Sequence, residues 1–240
     1  MDWNNDGRND LIFGSGCGYV FYYERLSDGS LMEMPHIQCN GTQIDVGFIS
    51  CPAVHDWNGD GLQDLLVGRE FMDGGSVRLY QNQGTAGNPQ FNSYQGLTSS
   101  GTYIQKWRSG PQVGDMDGDG IDDLVLAACD TGPFSNAPQQ NEVHFPASSE
   151  GYDNGPNCGW VYFYRNVGTN QNPVFEGGIQ LESDGEPIYH WHHNICLYDW
   201  NDDGRMDIIS GDFYGQIRLY LATEPQGTEH QDSDKLIIVN

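Results

Sequence analysis

A nine-residue segment recurs four times in the chain and restricts the possible folds more than any other feature. One copy is Asp56-Trp57-Asn58-Gly59-Asp60-Gly61-Leu62-Gln63-Asp64; the others are DWNNDGRND from Asp2 to Asp10, DMDGDGIDD from Asp115 to Asp123 and DWNDDGRMD from Asp199 to Asp207. All fit D-x-[DN]-x-D-G-x-x-D, and each runs directly into an apolar stretch. Oxygen side chains at positions 1, 3, 5 and 9 can converge on one hard cation, a backbone carbonyl at position 7 can join them, and glycine at position 6 permits the sharp turn. The expected ligands are Asp2, Asn4, Asp6, Arg8 (carbonyl) and Asp10 in the first loop, and Asp56, Asn58, Asp60, Leu62 (carbonyl) and Asp64 in the second. In the third they are Asp115, Asp117, Asp119, Ile121 (carbonyl) and Asp123, and in the fourth Asp199, Asn201, Asp203, Arg205 (carbonyl) and Asp207. An all-oxygen set selects Ca²⁺ over zinc or copper, so four Ca²⁺ sites are expected. An EF-hand is excluded: it needs a bidentate Glu at position 12 and flanking helices, whereas position 12 here is Phe13, Val67, Leu126 or Ser210.

A second element follows each loop: Gly18 to Tyr23 (GYVFYY), Gly75 to Tyr80 (GSVRLY), Gly159 to Tyr164 (GWVYFY) and Gly215 to Tyr220 (GQIRLY). Alternating β-branched and aromatic residues opened by glycine read as strand. A third element, N-x-G-T-x-x-N-P-x-F, occurs at Asn82 to Phe91 and Asn166 to Phe175 and reads as a turn leading to an outer strand. Short strands precede three of the loops, and no amphipathic helix of useful length is visible. One unit is therefore strand A, Asp loop, strand B, strand C, turn, strand D. The expected fold class is all-β: a β-propeller of four-stranded antiparallel blades with a Ca²⁺ loop between strands A and B. The whole chain, 1–240, reads as one propeller region with units near 1–42, 43–98, 99–182 and 183–240 and an insertion at 130–157 in the third.

These motifs together resemble FG-GAP (VCBS-type) repeats over nearly the whole chain. The resemblance implies a propeller with Ca²⁺ in its A–B loops, as in integrin α heads, fungal lectins and certain polysaccharide lyases; it implies no single activity. The first unit lacks a strand A, and four blades are few for a closed ring. The chain is thus expected to form part of a larger propeller, or to be completed by a neighbour, with self-association through its incomplete end blades. The terminal run Leu236-Ile-Ile-Val239 fits either an outer strand of the fourth unit or an inner strand elsewhere.

Composition sets the partners and the compartment. A formal charge of −24, from 34 acidic residues against 10 Lys and Arg, argues against nucleic acid and anionic membrane. No apolar run approaches the roughly 18 residues of a membrane span, so no membrane insertion is expected. No signal peptide opens the chain, which reads as a mature form or a portion of something longer. Abundant extracellular Ca²⁺ and six cysteines suit a secreted or cell-surface location. Cys129 and Cys158 bracket the 130–157 insertion and are expected to form a disulfide across its base; the pairing of Cys17, Cys39, Cys51 and Cys196 is left open. Asn40-Gly41-Thr42 fits the N-glycosylation pattern.

The face opposite the Ca²⁺ loops holds the candidate ligand-binding residues. Lys106, Trp107 and Arg108 in the third unit and His190, Trp191 and His192 in the fourth concentrate cationic and aromatic groups in an acidic chain. Such groups suit stacking on sugar rings and pairing with carboxylates, although the two tryptophans would serve equally well as packing for strand A. No nucleophile elbow, phosphate loop or zinc-protease motif is present, and no catalytic residue is assigned. The expected function is non-enzymatic glycan binding or adhesion, with a carbohydrate or an extracellular protein as partner. The alternatives are the propeller body of a polysaccharide lyase and a structural subunit of an extracellular assembly.

Overall fold

The computed structural model describes residues 1–70, 74–129, 158–189, 194–212, 215–223 and 237–239. Among them every regular element is a strand, and no helix is long and apolar enough to cross a membrane. The strands form antiparallel blades in chain order, giving a partial β-propeller. The second blade is Ser50–His55, Asp64–Arg69, Val77–Tyr80 and Gln95–Gly96. The third is Trp107–Gly114, Asp123–Cys129, Cys158–Asn166 and Phe175–Gln180, and the fourth is Asn194–Tyr198, Asp207–Gly211, Ile217–Ala222 and Ile237–Val239. The first blade has three strands among the described residues, Leu11–Gly14, Val20–Arg25 and Leu31–Glu33. Of the two placements open to the terminal run, the structure adopts the outer one: Leu221 faces Val239 and Ala222 faces Ile238 in an antiparallel pair.

A further repeat joins the blades. Ile37-Gln38-Cys39-Asn40-Gly41-Thr42-Gln43-Ile44 forms a tight hairpin, and so do the corresponding segments Leu97 to Ile104 and Leu181 to Ile188. At their tips Asn40-Gly41, Ser100-Gly101 and Asp184-Gly185 all have positive φ at both residues, the backbone of a type I′ turn. Each hairpin then pairs in parallel with the outer edge of the next blade: Cys39 bridges to Phe91, just ahead of the outer strand Gln95–Gly96, while Ser99 pairs with Phe175 and Ser183 with Ile238 within outer strands. The aliphatic residues at the hairpin bases (Ile37 and Ile44, Leu97 and Ile104, Leu181 and Ile188) are all buried. Every linker between blades is therefore also a clasp over the following blade's edge.

The core consists of three layers between successive blades. Val20, Val46, Leu65 and Val67 lie in the first, Leu66, Val77, Leu124 and Leu126 in the second, and Val125, Val161, Leu181 and Ile208 in the third. Burying each such side chain contributes about 1.5–3 kcal/mol. The approach is closest at the inner strands. A Cβ on Gly14 would lie 1.8 Å from the Ser50 carbonyl oxygen, and one on Gly68 would lie 1.8 Å from that of Ser109. Strand B of one blade thus presents bare backbone to strand A of the next.

Candidate metal centres and the opposite face

All four Asp loops share one local structure. The first Asp holds the turn: its carboxylate accepts from the N–H of position 5 at 3.0 to 3.2 Å and from the position 6 glycine at 2.8 to 2.9 Å. The N–H of position 7 donates to the position 5 Asp at 2.8 to 3.0 Å. Gly7, Gly61, Gly120 and Gly204 have φ between 83° and 87°, where a side chain is disfavoured. Position 4 is also left-handed, with Asn5, Gly59, Gly118 and Asp202 at φ between 57° and 79°. Asn, Asp and Gly tolerate that region best, so a position that looks free in the motif is conformationally restricted.

The ninth Asp has a second task. Asp10, Asp64, Asp123 and Asp207 are buried. One carboxylate oxygen accepts from the N–H of loop position 2 at 2.9 to 3.2 Å. The other accepts from the end of strand C, at Arg25, Asn82, Asn166 and Ala222, at 2.6 to 2.8 Å. This carboxylate therefore clamps loop to blade. Burial raises the carboxyl groups of Asp64 and Asp117, and pushes that of Asp123 up to about 7. Burial thus disfavours the ionised form of these carboxyl groups, and a nearby positive charge would favour it.

The donor set fits a hard divalent cation. In the third loop, carboxylate oxygens of Asp115, Asp117 and Asp123 lie within 4.8 Å of one another; loops 1, 2 and 4 carry Asp, Asn, Asp and Asp at positions 1, 3, 5 and 9. Nearby guanidinium groups pair with the outer carboxylates. Arg165 contacts Asp117 at 2.7 Å and Asp119 at 3.2 Å, Arg205 contacts Asp203 at 3.3 Å, and Arg8 pairs with Asp6.

The N-x-G-T turns seat the loops from outside. Asn166 anchors its own turn by accepting from the N–H groups of Gly168 and Val174 at 3.0 Å each, and Asn82 does the same for Gly84 and Gln90. The phenylalanine that closes each turn reaches the preceding blade's loop: Phe91 packs on Trp3 with ring centroids 6.1 Å apart, and Phe175 on Trp57 at 5.6 Å. Two blades therefore contribute to the surroundings of one loop.

On the opposite face, the three adjacent candidates of the third blade do not form a uniform patch. Trp107 is buried, so its ring serves packing. Arg108, at φ 53°, lies over the Trp107 ring at 4.0 Å and beside the Glu70 carboxylate at 3.4 Å. Lys106 places its Nζ 3.6 Å from the centre of the Tyr162 ring. Ile49, at the same strand position in the second blade, also has positive φ, 39°, an uncommon conformation for a β-branched residue. Beside it Phe48 is 48% exposed. His190, Trp191, His192 and the 130–157 insertion lie outside the described residues. The backbone register sets Cys129 opposite Cys158 at the base of that insertion. Cys17, Cys39, Cys51 and Cys196 are free thiols, and burial pushes that of Cys51 up to about 11.

A blade array with a carboxylate loop at the same point in each blade defines a repeat propeller with candidate cation sites. The model of the FG-GAP-like repeat matches residues 2–67 and 56–126, and the chain belongs to that family. Among curated proteins it is similar to integrin alpha-4 of Xenopus laevis, 25% identical over 219 residues that cover 88% of this chain and 18% of that protein. It is also similar to integrin alpha-5 of Xenopus laevis, at 27% over 204 residues (78% of this chain, 18% of that one), and to integrin alpha-3 of Mus musculus, at 34% over 119 residues (46% and 11%). The chain thus spans less than a fifth of the length of these relatives.

Proposed function

We propose that this chain is an extracellular, Ca²⁺-stabilised propeller module that binds an adhesion-type ligand, a glycan or an extracellular protein, through the face opposite its Asp loops. The observation that carries the reading is the fourfold repetition of one preorganised all-oxygen loop whose buried ninth carboxylate also ties the loop to its blade. Each loop takes one Ca²⁺ through the side chains at positions 1, 3, 5 and 9 and the carbonyl of position 7. The ion offsets the repulsion among carboxylates, so binding and folding are coupled. Similarity to integrin α chains supports adhesion. The ligand surface comprises Arg108 and Lys106 of the third blade, Phe48 of the second, and the His190 to His192 segment, with Trp107 supporting it from below. A Cys129–Cys158 disulfide closes the base of the neighbouring insertion; closing about 30 residues contributes on the order of 3 kcal/mol, and peptide mapping without reduction tests it.

The test is to screen the Ca²⁺-loaded protein against glycan and extracellular-matrix protein arrays, alongside Arg108→Ala and a chelated sample. Binding that needs both Ca²⁺ and Arg108 supports the reading. Binding indifferent to Arg108 places the ligand elsewhere, and no binding to any component of either array removes the adhesion reading.

A second reading rests on two exposed faces. In the fourth blade Ile217 is 80% and Trp200 59% exposed, and in the first blade Leu31 is 43% and Phe13 38% exposed. These faces match those joined inside the array, so each is suited to receive another blade from a longer chain or a second copy. Sedimentation of the isolated chain tests self-association: a concentration-independent monomer would leave only blades of the same polypeptide.

A further inference from the structure

We infer that the second and third Asp loops are coupled metal sites, joined through the turn from Asn166 to Phe175, whereas the first and second loops are joined more weakly. The inference rests on the reading of these loops as Ca²⁺ sites and concerns residues outside the ligand sets. The turn touches both loops at once. Toward its own blade, Asn166 donates its N–H to Asp123 at 2.8 Å and its side-chain amide to the Asp122 carbonyl at 3.0 Å. The side-chain oxygen of Asn170 accepts the Asp122 N–H at 2.8 Å. Toward the preceding blade, Phe175 packs on Trp57, and Gln171 lies so close to the second loop that a Cβ on Gly59 would come within 2.9 Å of its side-chain nitrogen. A direct bridge adds to this: His55, next to Asp56, places its Nε2 2.8 Å from the Asp122 carboxylate, next to Asp123.

Drawing the second loop tight around an ion moves Trp57 and Gly59, which carry the turn, and the turn holds the backbone at Asp122 and Asp123. Asn170 and His55 are accordingly positioning residues for ligands of two different blades. The corresponding turn of the second blade, Asn82 to Phe91, provides an internal control. Its Gly87 approaches the first loop closely, since a Cβ there would be 3.0 Å from the Asn4 carbonyl, and Asn82 donates to Asp64 at 2.6 Å. Yet Ala86 stands where Asn170 does, Met1 where His55 does, and Gln63 where Asp122 does. Among the described residues, the side-chain bridges of the second interface have no counterpart in the first.

Coupling of this kind is measurable as a change in one site's affinity when the other is emptied, typically five- to a hundredfold. The amides of Gly7, Gly61 and Gly120 each donate to the first Asp of their own loop, so their resonances in a heteronuclear NMR titration report the loops separately. Asp60→Ala should shift the Ca²⁺ midpoint of Gly120 upward by about tenfold and that of Gly7 by less than threefold. Asn170→Ala touches no ligand, and its fold is checked by circular dichroism; alone it should raise the Gly120 midpoint above the parent value and leave that of Gly7 in place. In the Asn170→Ala background, the shift that Asp60→Ala causes at Gly120 should fall from about tenfold to below threefold. Unchanged Gly120 behaviour in Asp60→Ala, or the full shift retained in the Asn170→Ala background, would overturn the coupling through this turn. Glycine amides that do not respond to Ca²⁺ at all would instead overturn the metal reading beneath it.

Discussion

Trp57 and Trp200 occupy the same position in two loops with the same hydrogen bonds, yet Trp57 is 6% exposed and Trp200 59%. The difference comes from what lies on top. Phe175 and the third blade cover Trp57, whereas no described residue plays that part for Trp200. The same contrast runs down the blade: Val77 is fully buried while Ile217, its counterpart, is 80% exposed. Gly68 is pressed against the Ser109 carbonyl, while a Cβ on Gly211 would meet nothing within 4 Å. Loop conformation is thus encoded within nine residues, whereas the stability of a blade comes from its neighbour.

Substitutions at paired positions can break or sharpen this contrast. Trp57→Ala should cost about 3–5 kcal/mol by urea unfolding in Ca²⁺, while Trp200→Ala should stay within about 0.5 kcal/mol. Equal losses would mean that the fourth blade's face is covered in solution. Gly68→Ala should cost about 1–3 kcal/mol through overpacking against backbone, with Gly211→Ala well below that. Smaller again is the clasp: Gly101→Ala forces a side chain into φ 76° and should cost about 1–2 kcal/mol. The thermal midpoint of Gly101→Ala should fall accordingly, and an unchanged midpoint would show that the hairpin holds the blades only weakly.

Much of the fold was legible because the constraint is local. Each loop must place carboxylates, glycine and a strand start in fixed order, and strand C repeats its own alternation, so the all-β blade reading follows from residues close in sequence. The clasps were not legible. Their copies share only an aliphatic residue at each end and a two-residue tip, and Asn40-Gly41, Ser100-Gly101 and Asp184-Gly185 meet the same backbone demand with different side chains. Asn40 drew notice as a glycosylation pattern, while its N–H donates to the Phe91 carbonyl at 2.7 Å. On the candidate site, the ligand positions were readable, but the clamp from the ninth Asp to the end of strand C joins residues far apart in sequence, such as Asp123 and Asn166. The same distance hid His55 and Asn170. Trp107 stood beside two cationic residues in sequence, and only the packing of strand A between blades shows that it turns inward while Arg108 stacks over it.

The central claim is that four repeated loops hold four Ca²⁺ ions and that these ions stabilise the array. Native mass spectrometry of the Ca²⁺-equilibrated chain, run beside a chelated sample whose melting is followed in parallel, tests it most directly. The account predicts four Ca²⁺ per chain, all removed by chelator, with a marked fall in melting temperature. A chain that carries no Ca²⁺ and melts identically with and without chelator would contradict it.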